Sequence, residues 1–143
     1  MTISKLEYEQ MTARVEGICG DLKSGRYKML ADKPALENDL HQQIIAECKR
    51  FGFYYVHSRT DKRTTNAIGT PDFVLALPDG VVWWIEVKIK GNKPTREQMA
   101  VGVMLKKLGQ NYALVYSIDE FYHAICDKAC EKRDAEFFRD NQL

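Results

Sequence analysis

Val81-Val82-Trp83-Trp84-Ile85-Glu86-Val87-Lys88-Ile89 reads as a β-strand with two unequal faces. Val81, Trp83, Ile85, Val87 and Ile89 make one face, unbroken and apolar. Val82, Trp84, Glu86 and Lys88 make the other, which begins apolar and ends with a carboxylate beside an ammonium. Taking both charges out of water inside a sheet costs several kcal/mol each unless they are paired or meet a metal ion. An ordinary Glu–Lys ion pair at an exposed strand end is the plain alternative.

The stretch before it weighs against that alternative. Gly69-Thr70-Pro71-Asp72 runs straight into the apolar Phe73-Val74-Leu75-Ala76-Leu77, and Pro78-Asp79-Gly80 is a turn. The two strands therefore form an antiparallel hairpin. Pairing outward from Asp79-Gly80 sets Asp72 opposite Val87, so one residue of register brings the Asp72 and Glu86 carboxylates together. Two converging carboxylates repel unless a cation lies between them. Hard oxygen ligands suit Mg²⁺ or Mn²⁺. Lys88 points into the same space, where it can steer a water and offset charge building on a phosphate.

The remaining elements follow from periodicity and punctuation. Tyr8, Met11, Val15, Ile18 and Leu22 form an apolar helical stripe over 3–24 that ends at Gly25. A second helix is expected from about Pro34, in a turn with Asp32, with Leu36, Leu40, Ile44, Ile45 and Cys48 on one face and Gly52 after its end. Residues 53–56 read as a strand and 58–70 as a polar loop. Thr95 and Gln98 fit a capping box opening a helix to about Leu108; a strand over 112–116 follows, then a helix from Ser117 to about Phe138. The order α-α-β-β-β-α-β-α predicts one α/β domain with a mixed four-stranded sheet flanked by helices. Residues 1–143 are read as one unit, with 1–30 an N-terminal helix that packs on it or on a second copy, and 34–138 the core.

Gly69-Thr70-Pro71-Asp72, followed after the hairpin by Glu86-Val87-Lys88, resembles the PD-(D/E)xK nuclease signature, whose core is restriction-endonuclease-like. The stretch from Arg59 to Phe121 resembles the VRR-NUC (virus-type replication-repair nuclease) branch in particular. It shares the polar loop, the Gly-x-Pro-Asp turn, the hairpin, the helix start Pro94-Thr95-Arg96-Glu97-Gln98 and the run Ala113-Leu114-Val115-Tyr116-Ser117-Ile118-Asp119-Glu120. The resemblance implies an Mg²⁺- or Mn²⁺-dependent DNA endonuclease acting on branched or structured DNA, often as a homodimer, with no organic cofactor. It assigns the metal to Asp72, Glu86 and the Val87 carbonyl, makes Lys88 the catalytic lysine and Gln98 a supporting catalytic residue. It also asks for a first-helix glutamate, with Glu37 the candidate and Glu47 the alternative. Two rivals are a restriction-type nuclease on plain duplex and a binding or assembly protein that has kept the fold and lost the chemistry.

The net charge of +1 does not announce nucleic-acid binding, so any basic contact must be local. Arg59, Lys62 and Arg63 on one loop, and Lys90 and Lys93 on another, are the candidates for phosphate contact; a solvated surface is the plainer reading of either. The apolar stretches are too short to span a bilayer, and the N-terminus lacks secretory character. A soluble cytoplasmic protein is expected, including a phage-encoded one in a bacterial host. Cys19, Cys48, Cys126 and Cys130 are too scattered for a disulfide framework and read as free thiols. His123, Cys126 and Cys130 share a helix face, better explained as a soft buried stripe than as zinc ligands. His41 reads as helix surface.

Overall fold

The computed structural model describes residues 2–29, 34–58 and 65–127. Their elements are α1 (Lys5–Ser24), α2 (Glu37–Phe51), β1 (Tyr54–His57), β2 (Phe73–Ala76), a 3₁₀ turn (Pro78–Gly80), β3 (Val82–Val87), α3 (Arg96–Lys107), β4 (Asn111–Val115) and α4 (Ile118–Cys126). The sheet runs β1-β2-β3-β4, with β1, β2 and β3 antiparallel in turn and β4 parallel to β3. This is the expected mixed sheet in the expected order. The parallel step exists because α3 carries the chain back across the sheet between β3 and β4.

Strand alternation sorts the helices into two layers. Trp83, Ile85 and Val87 lie on one face with Phe73 and Leu75 of β2 and Val115 of β4, and all six are buried. Leu40, Ile44, Cys48 and Phe51 of α2 and Ile118, Phe121 and Ile125 of α4 close over them as one core. α1 packs outside, on α4, through the stripe Met11, Val15, Ile18 and Leu22. The opposite face carries Trp84, Glu86 and Tyr112, and α3 covers it. Gly102 of α3 sits directly on the Tyr112 ring: a Cβ there would lie 2.7 Å from it. That contact fixes how closely α3 approaches the sheet.

Several expectations need correction. α2 begins at Glu37, not near Pro34, and its N-cap Leu36 is exposed rather than part of the buried stripe; Asp32 lies outside the described residues. α4 ends at Cys126, where the periodicity ran on to about Phe138; residues after 127 and Cys130 lie outside the described set. Cys19 and Cys126 are not free thiols. They form a disulfide joining α1 to the last residue of α4, which also removes Cys126 from any zinc set. Cys48 alone is a free thiol among the described cysteines, buried in the core.

The hairpin is one residue out of the expected register. Phe73 pairs with Ile85 and Ala76 with Val82, and the Leu77 N–H donates to the Val81 carbonyl at 2.8 Å. The turn is therefore a three-residue loop centred on Asp79, which takes φ 64° and is followed by Gly80 at φ 73°. Tyr8 of α1 ties it down: its hydroxyl contacts the Asp79 carboxylate and accepts the Asp79 N–H, each at 3.1 Å. Extended by one residue, this register sets Asp72 in line with Glu86.

Candidate active site

The site forms at the end of the sheet where β2 begins and β3 finishes, with α2 supplying side chains from one layer and α3 from the other. Asp72 and Glu86 are the buried carboxylates of these two strands, 5% and 1% exposed. The Val87 N–H donates to Asp72 Oδ2 at 2.8 Å, which holds that carboxylate against the end of β3. An extended residue points its N–H and C=O to the same side of the strand. The Val87 carbonyl therefore faces the Asp72 side, while the Lys88 N–H turns to β4 and donates to the Val115 carbonyl at 3.0 Å.

Glu86 Oε1 accepts from Gln98 Nε2 at 2.6 Å and stands 3.4 Å from Lys88 Nζ. Lys88 Nζ is also 3.6 Å from Glu37 Oε1, so the ammonium bridges the strand carboxylate and the first turn of α2. Glu37 thus faces the cluster and Glu47 does not: Glu47 is held by Arg50 at 2.6 Å and by the Tyr122 hydroxyl.

Gln98 shows why a glutamine stands at this third helical position. Its Oε1 accepts the Thr95 N–H at 2.8 Å and completes the capping box, while its Nε2 reaches Glu86. A glutamate would cap the helix equally well but would set a second acceptor against Glu86. Gly69 brings the loop to this helix end. It has φ +87°, and a Cβ on it would lie 2.5 Å from the Glu97 carbonyl oxygen. The glycine of the Gly-x-Pro-Asp turn is thus required twice, by its conformation and by close approach.

His41 departs from its expected place. It is 6% exposed, not on the helix surface. One turn after Glu37 on α2, it packs against Phe73 and His57. Its Nδ1 meets His57 Nε2 at 2.8 Å, and its Nε2 lies 3.8 Å from Asp72 Oδ2 with no hydrogen-bond partner. Donor atoms of Glu37, His41 and Asp72 all lie within 4.8 Å of one another. Of the basic candidates, Lys90 and Lys93 are exposed just beyond β3; Arg59, Lys62 and Arg63 lie outside the described residues.

Burial pushes the Glu86 carboxyl up to about 8 from 4.5, and the Asp72 charge adds to this, against the opposing pull of Lys88. A carboxyl raised in the fold is stabilising only when protonated. Its effect turns against the fold as pH rises from about 4.5 through about 8. In EDTA the protein is expected to lose thermal stability across that window. Glu86→Gln should flatten the loss and stabilise the metal-free chain by at least about 1 kcal/mol at pH 8. Thermal unfolding in EDTA between pH 5 and 8.5 checks this; equal slopes for both proteins would show that Glu86 does not carry it.

Among the described residues no helix is long and apolar enough to cross a membrane. No family model matches the chain. Over 84 residues it is 29% identical to "Putative nuclease p44" of Acyrthosiphon pisum secondary endosymbiont phage 1, an alignment spanning 58% of this chain and 85% of that protein. A solved VRR_NUC domain is 21% identical, with a TM-score of 0.47 over 75% of this chain and 97% of that one. The chain is thus similar to a nuclease-named phage protein, and its mixed sheet brings the signature residues Asp72, Glu86 and Lys88 to the junction of β2 and β3.

Proposed function

We propose that the protein is a metal-dependent deoxyribonuclease that hydrolyses phosphodiester bonds, with Asp72, Glu86 and Lys88 at its centre. One observation carries this reading: two buried carboxylates meet at neighbouring strand ends with an ammonium 3.4 Å from one of them. Fully ionised, Asp72, Glu86 and Glu37 against Lys88 leave two negative charges uncompensated, which a single divalent ion balances. The raised Glu86 carboxyl, and His41 Nε2 buried without a hydrogen-bond partner, both fit a cation-binding site.

Asp72, Glu86, Glu37 and the Val87 carbonyl would hold Mg²⁺ or Mn²⁺. When bound, the ion polarises the scissile phosphate and makes water a stronger nucleophile at neutral pH. The chain's own residues do the rest. Gln98 fixes the Glu86 carboxylate and leaves its other oxygen for the ion. Lys88, its side chain 12% exposed, presents a cation to the phosphate and to the attacking water. Exposed Lys90 and Lys93 extend positive charge along the path of the backbone.

The preferred substrate in this proposal is branched or structured DNA, cut by a homodimer whose two sites address two strands. The test is cleavage of duplex, flap, splayed and four-way DNA with Mg²⁺ or Mn²⁺, and again in EDTA, alongside sedimentation at micromolar concentration. Metal-dependent cutting of the branched forms is expected. Preference for plain duplex would select the restriction-type rival, and a sedimenting monomer would remove the paired-site model. The nuclease reading is falsified if none of the four is cut.

A further inference from the structure

We infer that His41 is a ligand of this metal site, giving Nε2 beside the Glu37 and Asp72 carboxylates, and that its nitrogen makes the site favour Mn²⁺ over Mg²⁺. The inference rests on the reading above only in requiring a divalent ion.

The placement of the ring leaves few other uses for it. A buried ring nitrogen without a partner is destabilising by about 1–3 kcal/mol, so a fold that keeps one needs a compensating contact. His41 Nε2 is such an atom, and it points at Asp72 Oδ2, 3.8 Å away. That gap is too long for a hydrogen bond and leaves room for an ion between the two atoms. Glu37 lies one helical turn before His41, so both donors project from the same face of α2 into this gap.

The neighbouring histidine supports the same role. Ligation through Nε2 needs the proton on Nδ1, and Nδ1 lies 2.8 Å from His57 Nε2, which accepts that proton in the tautomer of His57 protonated on its own Nδ1. His57 is itself stacked on Phe73, ring centroids 4.5 Å apart, so the pair is held by β1 and β2 rather than by a loop. The site then has one nitrogen among its oxygen donors. Imidazole binds Mn²⁺ and the later transition ions better than Mg²⁺, which keeps its waters and prefers hard oxygen.

Isothermal titration of the full-length protein with Mn²⁺ and with Mg²⁺, without DNA, tests this. The native chain is expected to bind Mn²⁺ at least about tenfold more tightly than Mg²⁺. His41→Gln should weaken Mn²⁺ about ten- to a hundredfold and change Mg²⁺ far less. Zn²⁺ titration of the unmutated protein, followed by the imidazole ¹⁵N resonances, reads the same contact whether or not the variant folds. A large shift of His41 Nε2 supports ligation; an unmoved Nε2, or unchanged Mn²⁺ affinity in a folded His41→Gln, overturns it. DNA cleavage that persists while Nε2 stays unmoved would reject the ligand and spare the nuclease. Ligation in a protein that cuts nothing would do the reverse.

Discussion

Lys88→Ala is expected to slow DNA cleavage by about a hundred- to a thousandfold while leaving the fold and the divalent-ion affinity intact. Removing one preorganised cation or donor from a charge-developing centre typically has an effect of that size. The lysine is well placed for it. Nζ sits 3.4 Å from Glu86 and 3.6 Å from Glu37, so it is fixed by two carboxylates before any substrate arrives. In the proposed site it is no ligand, however, and its removal takes a positive charge out of the site. Metal binding should therefore hold or tighten while turnover falls. Asp72→Asn makes the contrast, because Asp72 is a ligand in the proposed site and its loss should weaken metal and turnover together. Single-turnover cleavage at saturating Mn²⁺, with calorimetry of the ion, separates the two. A Lys88→Ala protein that cuts within tenfold of the native rate would place the chemistry on other residues.

The residues of this contrast were legible because one periodicity and one turn located them. Alternation along 81–89 set Glu86 and Lys88 on one face, and the Pro78-Asp79-Gly80 turn folded Asp72 back towards them. The register was off by one because a sequence does not say whether such a turn contributes two loop residues or three. Asp79 taking φ 64° ahead of Gly80 decided it. Gln98 was placed by its capping box, yet its second role, a donor to Glu86, needs the height of α3 over the sheet, and that depends on the Gly102–Tyr112 contact.

The burial of His41 does have a signal in the sequence. Glu37, His41, Ile44 and Cys48 recur at steps of four, three and four, so the histidine lies in the buried stripe of α2 and not beside it. A polar residue inside such a stripe marks either a partner or a ligand, and here His57 and Asp72 supply the surroundings. The start of α2 differs from expectation for the opposite reason. Pro34 is a good first-turn residue, but the cap falls at Leu36, which has no side-chain oxygen and relies on Asp39 to accept its N–H at 3.3 Å.

Cys19 and Cys126 could not be paired by reading along the chain, since they are 107 residues apart and only the packing of α1 on α4 joins them. That separation makes the second large effect. Closing a loop of about 100 residues removes enough freedom from the unfolded chain to stabilise the fold by up to about 4.7 kcal/mol, and native bridges typically contribute about 2–4. Reduction, or Cys19→Ser, is accordingly expected to lower the unfolding free energy by about 2–4 kcal/mol. The loss should fall first on α1, which then depends on the Met11, Val15, Ile18 and Leu22 stripe, on Tyr8 at the hairpin turn, and on the Tyr27 hydroxyl donating to Asp119 at 2.6 Å. Glu37, His41, Asp72, Glu86, Lys88 and Gln98 all lie outside α1. Cleavage by the reduced protein should therefore persist below its lowered melting point. Urea unfolding with and without dithiothreitol, on native protein and Cys19→Ser, measures the shift. The serine variant should match the reduced native chain and show no further response to reductant. A native midpoint that ignores dithiothreitol would mean that the two sulfurs sit together unbonded, with α1 held by packing alone.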